Sequence, residues 1–331
     1  MKAADAGASL IETLVAFGLT VAVSAFALSL FGLHQHLARA QLDDSALQQA
    51  QQAAHRELRR GLRAAGRGGI ARESPGQEAR PELAAFVEKD VAAGHPVGGL
   101  TAAEGTDVLV VRGVMNGPLY WVEDVEVDLT VARGWVEVLA ETPGGVHQPL
   151  AMLQDAGAAG DDALLLVSGV APVHAVVPIT EVAASGRGRR RRLRVHFHAD
   201  ASRGPVAGAY LGMSSGGAWP GRPMRVVERV GVLEEWRFYI RPPDLRSGHG
   251  PQLAMARLYP GTGIAWRRRN SNLLQPIADD LIDLDVTVEQ TVDGGAFLAS
   301  VVTTARAGEP AAAALRVERT TSSFVRLRNL P

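Results

Sequence analysis

The sequence predicts an α+β protein: one long N-terminal helix, membrane-spanning in its first half and amphipathic in its second, packed on an antiparallel β-rich head. Three observations carry that expectation. The 26 residues from Ala8 to Leu33 contain a single charge, Glu12. Apolar residues then recur with helical spacing as far as a stop at Gly66-Arg67-Gly68-Gly69. Beyond Thr106 the period changes to two, and turn signals separate the alternating runs.

The apolar run would be about 39 Å long as a helix, against a hydrocarbon core of about 30 Å, so it is long enough to span a membrane. It holds no proline, and Gly18 and Gly32 are tolerable in a helix whose backbone bonds are internal. A cleavable secretory signal has an apolar region of only about 7 to 15 residues behind a basic start. Here Lys2 is opposed by Asp5, so a signal anchor is the plainer alternative. Glu12 needs an explanation, because an acidic side chain at mid-membrane costs about 2.5 to 3.5 kcal/mol, and somewhat less nearer the interface. An amino group freed by cleavage between Gly7 and Ala8, on a neighbouring copy, would supply the opposite charge.

Further along, Leu33, Leu37, Ala40, Leu47, Ala54, Leu58, Leu62 and Ala65 define one helical face, with Arg56, Arg59, Arg60 and Arg63 on the other. Asp44 and Gln51 interrupt any coiled-coil seam. The boundaries that follow are a leader at 1–7, a transmembrane half-helix at 8–33, an amphipathic half at 34–66, a connecting region at 67–105 and a head at 106–331. The connecting region is rich in Gly, Pro and Ala, with one short helix expected at Pro81 to Ala93. Strands are expected at Asp107–Arg112, Leu119–Val131, Trp135–Leu139, Ala163–Val170, Val173–Ile179, Leu193–His198, Met224–Val232, Glu235–Arg241, Leu253–Tyr259, Leu281–Val292, Phe297–Thr304 and Leu315–Leu327. Asp293-Gly294-Gly295 marks a hairpin.

Gly7-Ala8-Ser9-Leu10-Ile11-Glu12 and the apolar run behind it resemble the class III signal of type IV prepilins. Thr106-Asp107-Val108-Leu109-Val110-Val111-Arg112, Leu164 to Ser168, Glu235 to Arg241, Ile277 to Val286 and Thr320 to Asn329 resemble, in the same order, the blocks of PilW-type minor pilins. The resemblance implies a type IV pilin-like fold, cleavage after Gly7 by a membrane prepilin peptidase, N-methylation of Ala8, and a role for Glu12 in subunit register. It also implies an inner-membrane, single-pass protein with a periplasmic head that later joins a surface pilus. Its partners would be other minor pilins, the major pilin, the prepilin peptidase and the assembly platform. The family usually carries Phe or Met where Ala8 stands. It often has Asp and Cys near Ser168, where this chain has Gly169 and no cysteine, so no disulfide carries over.

Charge is balanced, 34 basic against 35 acidic residues, so bulk electrostatics do not mark a nucleic-acid binder. Motifs for catalysis are poor. Gly212-Met213-Ser214-Ser215-Gly216 fits G-x-S-x-G, but Gly217-Ala218-Trp219-Pro220 does not supply the helix that a nucleophile elbow requires. His196 and His198 share a strand face without a third ligand placed by sequence. Asp279, Asp280, Asp283 and Asp285 lack the spacing of a calcium loop and read as a solvated helix start. No enzyme activity, metal or cofactor is expected.

Six arginines lie between Arg187 and Arg194, flanked by Gly186 and Gly188, and Arg267-Arg268-Arg269 forms a second run. Arg189, Arg190, Arg191 and Arg192 are candidates for polyanion binding through phosphates. The first run contains no aromatic residue to stack on bases, which favours a solvated inter-strand loop, and nucleic acid is not an expected partner. Two classes of function result. One is a structural minor pilin that initiates pilus assembly, with a minor pseudopilin of a type II secretion system as its near relative. The other is a surface-displayed binding module, an adhesin or DNA receptor.

Overall fold

The computed structural model describes residues 10–68, 84–97, 100–115, 117–128, 133–142, 144–158, 163–168, 174–188, 191–198, 227–244, 249–258, 274–290, 297–307 and 317–327. Two compact units emerge, one holding Met1–Gln49 and Ala307–Val317, the other Ala50–Arg306 and Glu318–Pro331.

In the first unit the described chain is mostly helix. Helix α1 runs Leu10–Ala64, 55 residues, and passes from one unit into the other. Every residue from Leu10 to Phe31 is exposed, including Phe17 at 70% and Leu28 at 70%. A run so apolar and so uncovered is long enough to cross a membrane. Thr20 Oγ1 donates to the Ala16 carbonyl at 2.7 Å, so that hydroxyl is satisfied within the helix itself.

The second unit is an antiparallel head. Its strands are β1 (Ala85–Glu88), β2 (Pro96–Val97), β3 (Leu100–Thr101), β4 (Val108–Gly113), β5 (Tyr120–Trp121), β6 (Asp124–Asp128), β7 (Arg133–Leu139), β8 (Ala163–Ser168), β9 (His174–Ser185) and β10 (Arg192–His198). They continue as β11 (Val227–Arg241), β12 (Gln252–Leu258), β13 (Leu274–Asp279), β14 (Leu281–Gln290), β15 (Phe297–Ala307) and β16 (Val317–Leu327); a short helix α2 (Ala151–Ala158) precedes β8. The α+β character expected from the sequence is present.

The largest sheet is organised by β11, whose 15 residues serve two neighbourhoods. Its C-terminal part pairs with β4 and β12, and β1 and β13 extend those flanks. Its N-terminal part pairs with β5 and β8. From β8 the order continues β9, β10, β7, β6. β6 is the continuation of β5, and between them Val122 N bonds Glu228 O at 3.0 Å while Glu123 N bonds Glu137 O at 2.8 Å. This segment therefore joins β7 to β11 and closes the strands into a small barrel. Val136, Val138, Val177, Ile179, Leu193, Val195, Phe197, Val230 and Val232 fill its interior, alternating with outward-facing residues; Leu150 and Leu153, at the start of α2, complete this core.

The other half of the sheet is covered on both faces. Val108, Val110, Tyr239, Ala254 and Ala256 form one core with Val91, Val97 and Ala102. On the opposite parity, Phe238 and Val111 meet the end of α1 at Gly61, where an added Cβ would stand 2.7 Å from the Phe238 ring. Gly113 plays the same part against the helix backbone, where an added Cβ would stand 2.9 Å from the Ala64 carbonyl oxygen. The helix then stops at Gly66 (φ 73°), whose amide bonds Arg112 O at 2.8 Å.

Several expectations need correction. Within Pro81 to Ala93 the chain forms β1, because Ala85–Glu88 bonds the free edge of β4, so the region 67–105 contributes to the head. Of the strand expected at Met224–Val232, the described residues from Val227 onward run without a break into Glu235–Arg241 as one strand, since Gly231 and Leu233 stay in register with β8. No helix starts at Asp279–Asp285: β13 ends at Asp279, Asp280 turns at φ 60°, and Asp283 and Asp285 lie on β14. Asp293-Gly294-Gly295 lies outside the described residues.

Gly61→Val should lower head stability by about 1 to 3 kcal/mol, because the fully buried Phe238 ring has nowhere to retreat. Thermal unfolding of the two chains in the same detergent measures it; an unchanged midpoint would show that helix and sheet are less closely fitted.

Candidate functional site

Glu12 sits in the first turn of α1, where a carboxylate complements the helix N-terminal dipole. Gly7 and Ala8 lie outside the described residues.

The described part of the basic run does not lie in a single loop. Gly186 and Gly188 turn the chain at φ 73° and 57°, and Arg192 already belongs to β10. Arg189 and Arg190 lie outside the described residues. The Arg191 carbonyl accepts from Ala140 N at 2.9 Å, which fixes where β10 starts. Arg192 and Arg194 point outward from the barrel and share one carboxylate across the sheet: Arg192 Nη1 is 2.8 Å from Glu137 Oε1, and Arg194 Nη2 is 3.1 Å from Glu137 Oε2. The two arginines are about half exposed, but they cover Glu137 to 8%. Arg194 also stacks on Trp135 at 4.0 Å, an aromatic partner invisible in the run because it comes from β7. The run is thus partly neutralised where it enters the sheet.

Of the other candidates, His196 and His198 lie on β10, and among the described residues no three His, Asp or Glu side chains converge as a metal would need. Gly212 to Gly216 lies outside the described residues.

Sequence reading missed two polar constellations. Asp107 is 3% exposed, and its Oδ2 accepts from Lys89 Nζ at 2.8 Å and from Val286 N at 2.8 Å, while Oδ1 accepts from Asp90 N at 3.1 Å. Lys89 also reaches Asp285 at 2.7 Å. That bond holds the Asp285 carboxyl below the usual range. Its contribution is present above the ordinary carboxylate range and lost as pH falls through the lowered value. Lys89 is the only lysine apart from Lys2, which was the available signal.

The second constellation joins α1 to the C-terminal strands. Gln51 Nε2 donates to Arg319 O at 2.5 Å, and Thr321 Oγ1 donates to Gln51 Oε1 at 2.7 Å. One turn on, His55 places Nδ1 2.7 Å from Ser323 Oγ and Nε2 3.0 Å from Thr303 Oγ1. Gln51 is therefore a buried contact and not a break in the stripe. A Ser and His at this distance invite comparison with a catalytic pair, yet both are buried and the second ring nitrogen faces a threonine where an orienting carboxylate would be needed.

A groove of about 430 Å³ lies along the barrel seam, lined by Trp121, Val122, Glu123, Leu139, Val146 and Gln148, among others. Its polar lining is largely committed to the fold: Gln148 accepts from Trp121 N at 2.7 Å and donates to Leu139 O at 2.9 Å, and Arg229 covers Trp121 at 4.2 Å. What it offers a ligand is mainly apolar surface.

Compared with protein-family models, curated proteins and solved structures, the chain matches none. Its class is accordingly defined by its own features: a protein with a membrane-length N-terminal helix, the one such helix among the described residues, and an antiparallel β-rich head.

Glu137→Ala should raise retention of the chain on heparin, since two arginines lose their shared counter-charge. Salt at elution compares the two proteins. Equal elution would mean that Arg192 and Arg194 are already free in solution.

Proposed function

We propose that the chain is a PilW-type minor pilin, a structural subunit that helps initiate type IV pilus assembly and sits at or near the pilus tip. The observation that carries this reading is the combination in α1 of a wholly exposed apolar stretch from Leu10, a carboxylate at Glu12 in the first turn, and a continuous passage into the head at Ala50–Ala64. An anchor alone needs no carboxylate, whereas packing of like helices would set Glu12 near the new amino terminus of a neighbour. The helix half beyond the membrane and the β-rich head are what supports a type IV pilin-like fold. In this proposal the protein begins as a single-pass inner-membrane protein with a periplasmic head and later enters the pilus. It works with other minor pilins, the major pilin, the prepilin peptidase and the assembly platform, without an enzymatic step of its own.

A minor pseudopilin of a type II secretion system shares the same features. The binding-module reading, adhesin or DNA receptor, would need an unpaired charge cluster, and Glu137 works against that at Arg192 and Arg194.

Processing is expected between Gly7 and Ala8. Intact mass of the membrane-extracted chain, from cells with an active prepilin peptidase, decides it; a mature protein keeping Met1 to Gly7 would remove the basis of the proposal. Glu12→Ala is expected to leave the chain inserted and the head folded while reducing co-purification with other pilins. Unchanged co-purification and piliation would reject the pairing of Glu12 with a neighbour's amino terminus.

A further inference from the structure

The polar seam between α1 and the C-terminal strands has a property that tight packing alone does not require. Along its buried stripe α1 places Ala54, Leu58 and Leu62, all 0% exposed, yet one and two turns before Leu58 it places His55 and Gln51, 6% and 2% exposed. Both are fully engaged by β15 and β16. Gln51 uses its amide on the Arg319 carbonyl and accepts from Thr321, and His55 uses both ring nitrogens on Ser323 and Thr303. A neutral imidazole is one donor and one acceptor, and two hydroxyls can adopt the complementary roles in either tautomer.

We propose that this seam is an acid-sensitive latch, in which protonation of His55 releases β15 and β16 from the end of α1.

A second ring proton makes both nitrogens donors and leaves a full charge in a buried site. The groups around it compensate only in part: a backbone hydrogen bond at Thr321 favours the charged ring, and burial and Arg59 outweigh it. On α1, Arg59 lies one turn on and is of like charge, while Glu57 is engaged with Arg60 at 3.3 Å. On β16 the residues facing α1 are Ser323, Thr321 and Arg319, the last again positive. On β15 Thr303 is flanked on the same face by Val301 and Ala305. Burial, and then Arg59, hold the ring below its ordinary value of 6.5. The sign follows: the seam is at full strength above about pH 6.5 and weakens as pH falls toward the lowered value. Because the chain has no cysteine and no disulfide, no covalent staple between α1 and the C-terminal strands resists the release.

Hydrogen exchange of the full chain in detergent micelles at pH 7.5 and pH 5.0, corrected for intrinsic rates, tests it. Protection of peptides covering 50–64 and 317–327 should fall together by about tenfold at the lower pH, as for one proton taken up per opening over about one pH unit. Peptides covering 108–113 should be unchanged, and His55→Gln should abolish the difference. Equal protection at both pH values in the natural chain, or a difference that persists in His55→Gln, would overturn the latch. Should His55→Gln loosen the seam at every pH, the natural chain still decides through the His55 ring signal in NMR. A titration midpoint below the ordinary histidine range that coincides with the exchange midpoint supports the latch, and a midpoint at or above that range refutes it.

Discussion

The head depends on β11 having neighbours along both edges at both ends. The C-terminal half of β11 is also covered on both faces, by the end of α1 on the side of Phe238 and by the core around Tyr239 on the other, so the usual alternation is lost: from Val230 to Arg241 the residues other than Arg237 and Arg241 are all buried. Charged residues that the strand nonetheless carries have to be satisfied inside. Glu235, 0% exposed, accepts from Arg112 Nε at 2.6 Å and from Arg237 Nε at 2.8 Å, and Glu234 accepts from Trp236 Nε1 at 2.9 Å. Removing both arginines would strand buried charge, which costs more than the intact network contributes. Such a network fixes register, because a slip of one residue would carry Glu235 away from Arg112.

The same constraint explains what could and could not be read in the sequence. The end of α1 was legible, since Leu47, Ala54, Leu58, Leu62 and Ala65 repeat with helical spacing and are buried, and Gly66 ends the run. Strands such as β4 and β10 were legible from short alternating or apolar runs with turns beside them. β11 was read as two strands because Gly231, Val232, Leu233 and Glu234 do not look like the middle of one strand. β1 was missed because Ala85-Phe86-Val87-Glu88 becomes a strand only through the β4 edge it completes. Barrel closure was beyond reach. It rests on Val122 and Glu123 bonding in opposite directions, which no local pattern encodes.

The polar sites were illegible for a related reason. Gln51 interrupts an apolar stripe when the helix is considered by itself, and becomes complementary only when Thr321 and the Arg319 carbonyl, about 270 residues later, stand opposite. Asp107 reads as the first residue of an otherwise apolar strand. In the fold it accepts from two backbone amides, that of Asp90 and the buried one of Val286. Polar residues at interior positions cannot be interpreted from one segment, because their cost is decided by groups that only the tertiary structure brings.

Charge shows this most clearly. All but two of the basic residues are arginines, and in the linear chain they gather into runs that suggest a positive surface. A strand disperses such a run to alternate faces, and antiparallel pairing then sets each arginine opposite a residue chosen by register. Arg194 pairs across to Glu137, which pairs in turn with Asp124, and Arg306 on β15 meets Glu318 on β16. The field outside a β-rich head is thus written across its strands rather than along them. By that measure the stretch of this chain with the strongest unmet requirement for a partner is the apolar half of α1, whose exposed side chains no described residue covers. Burial of that surface in lipid, or against like helices, outweighs what any exposed arginine pair on the head could contribute.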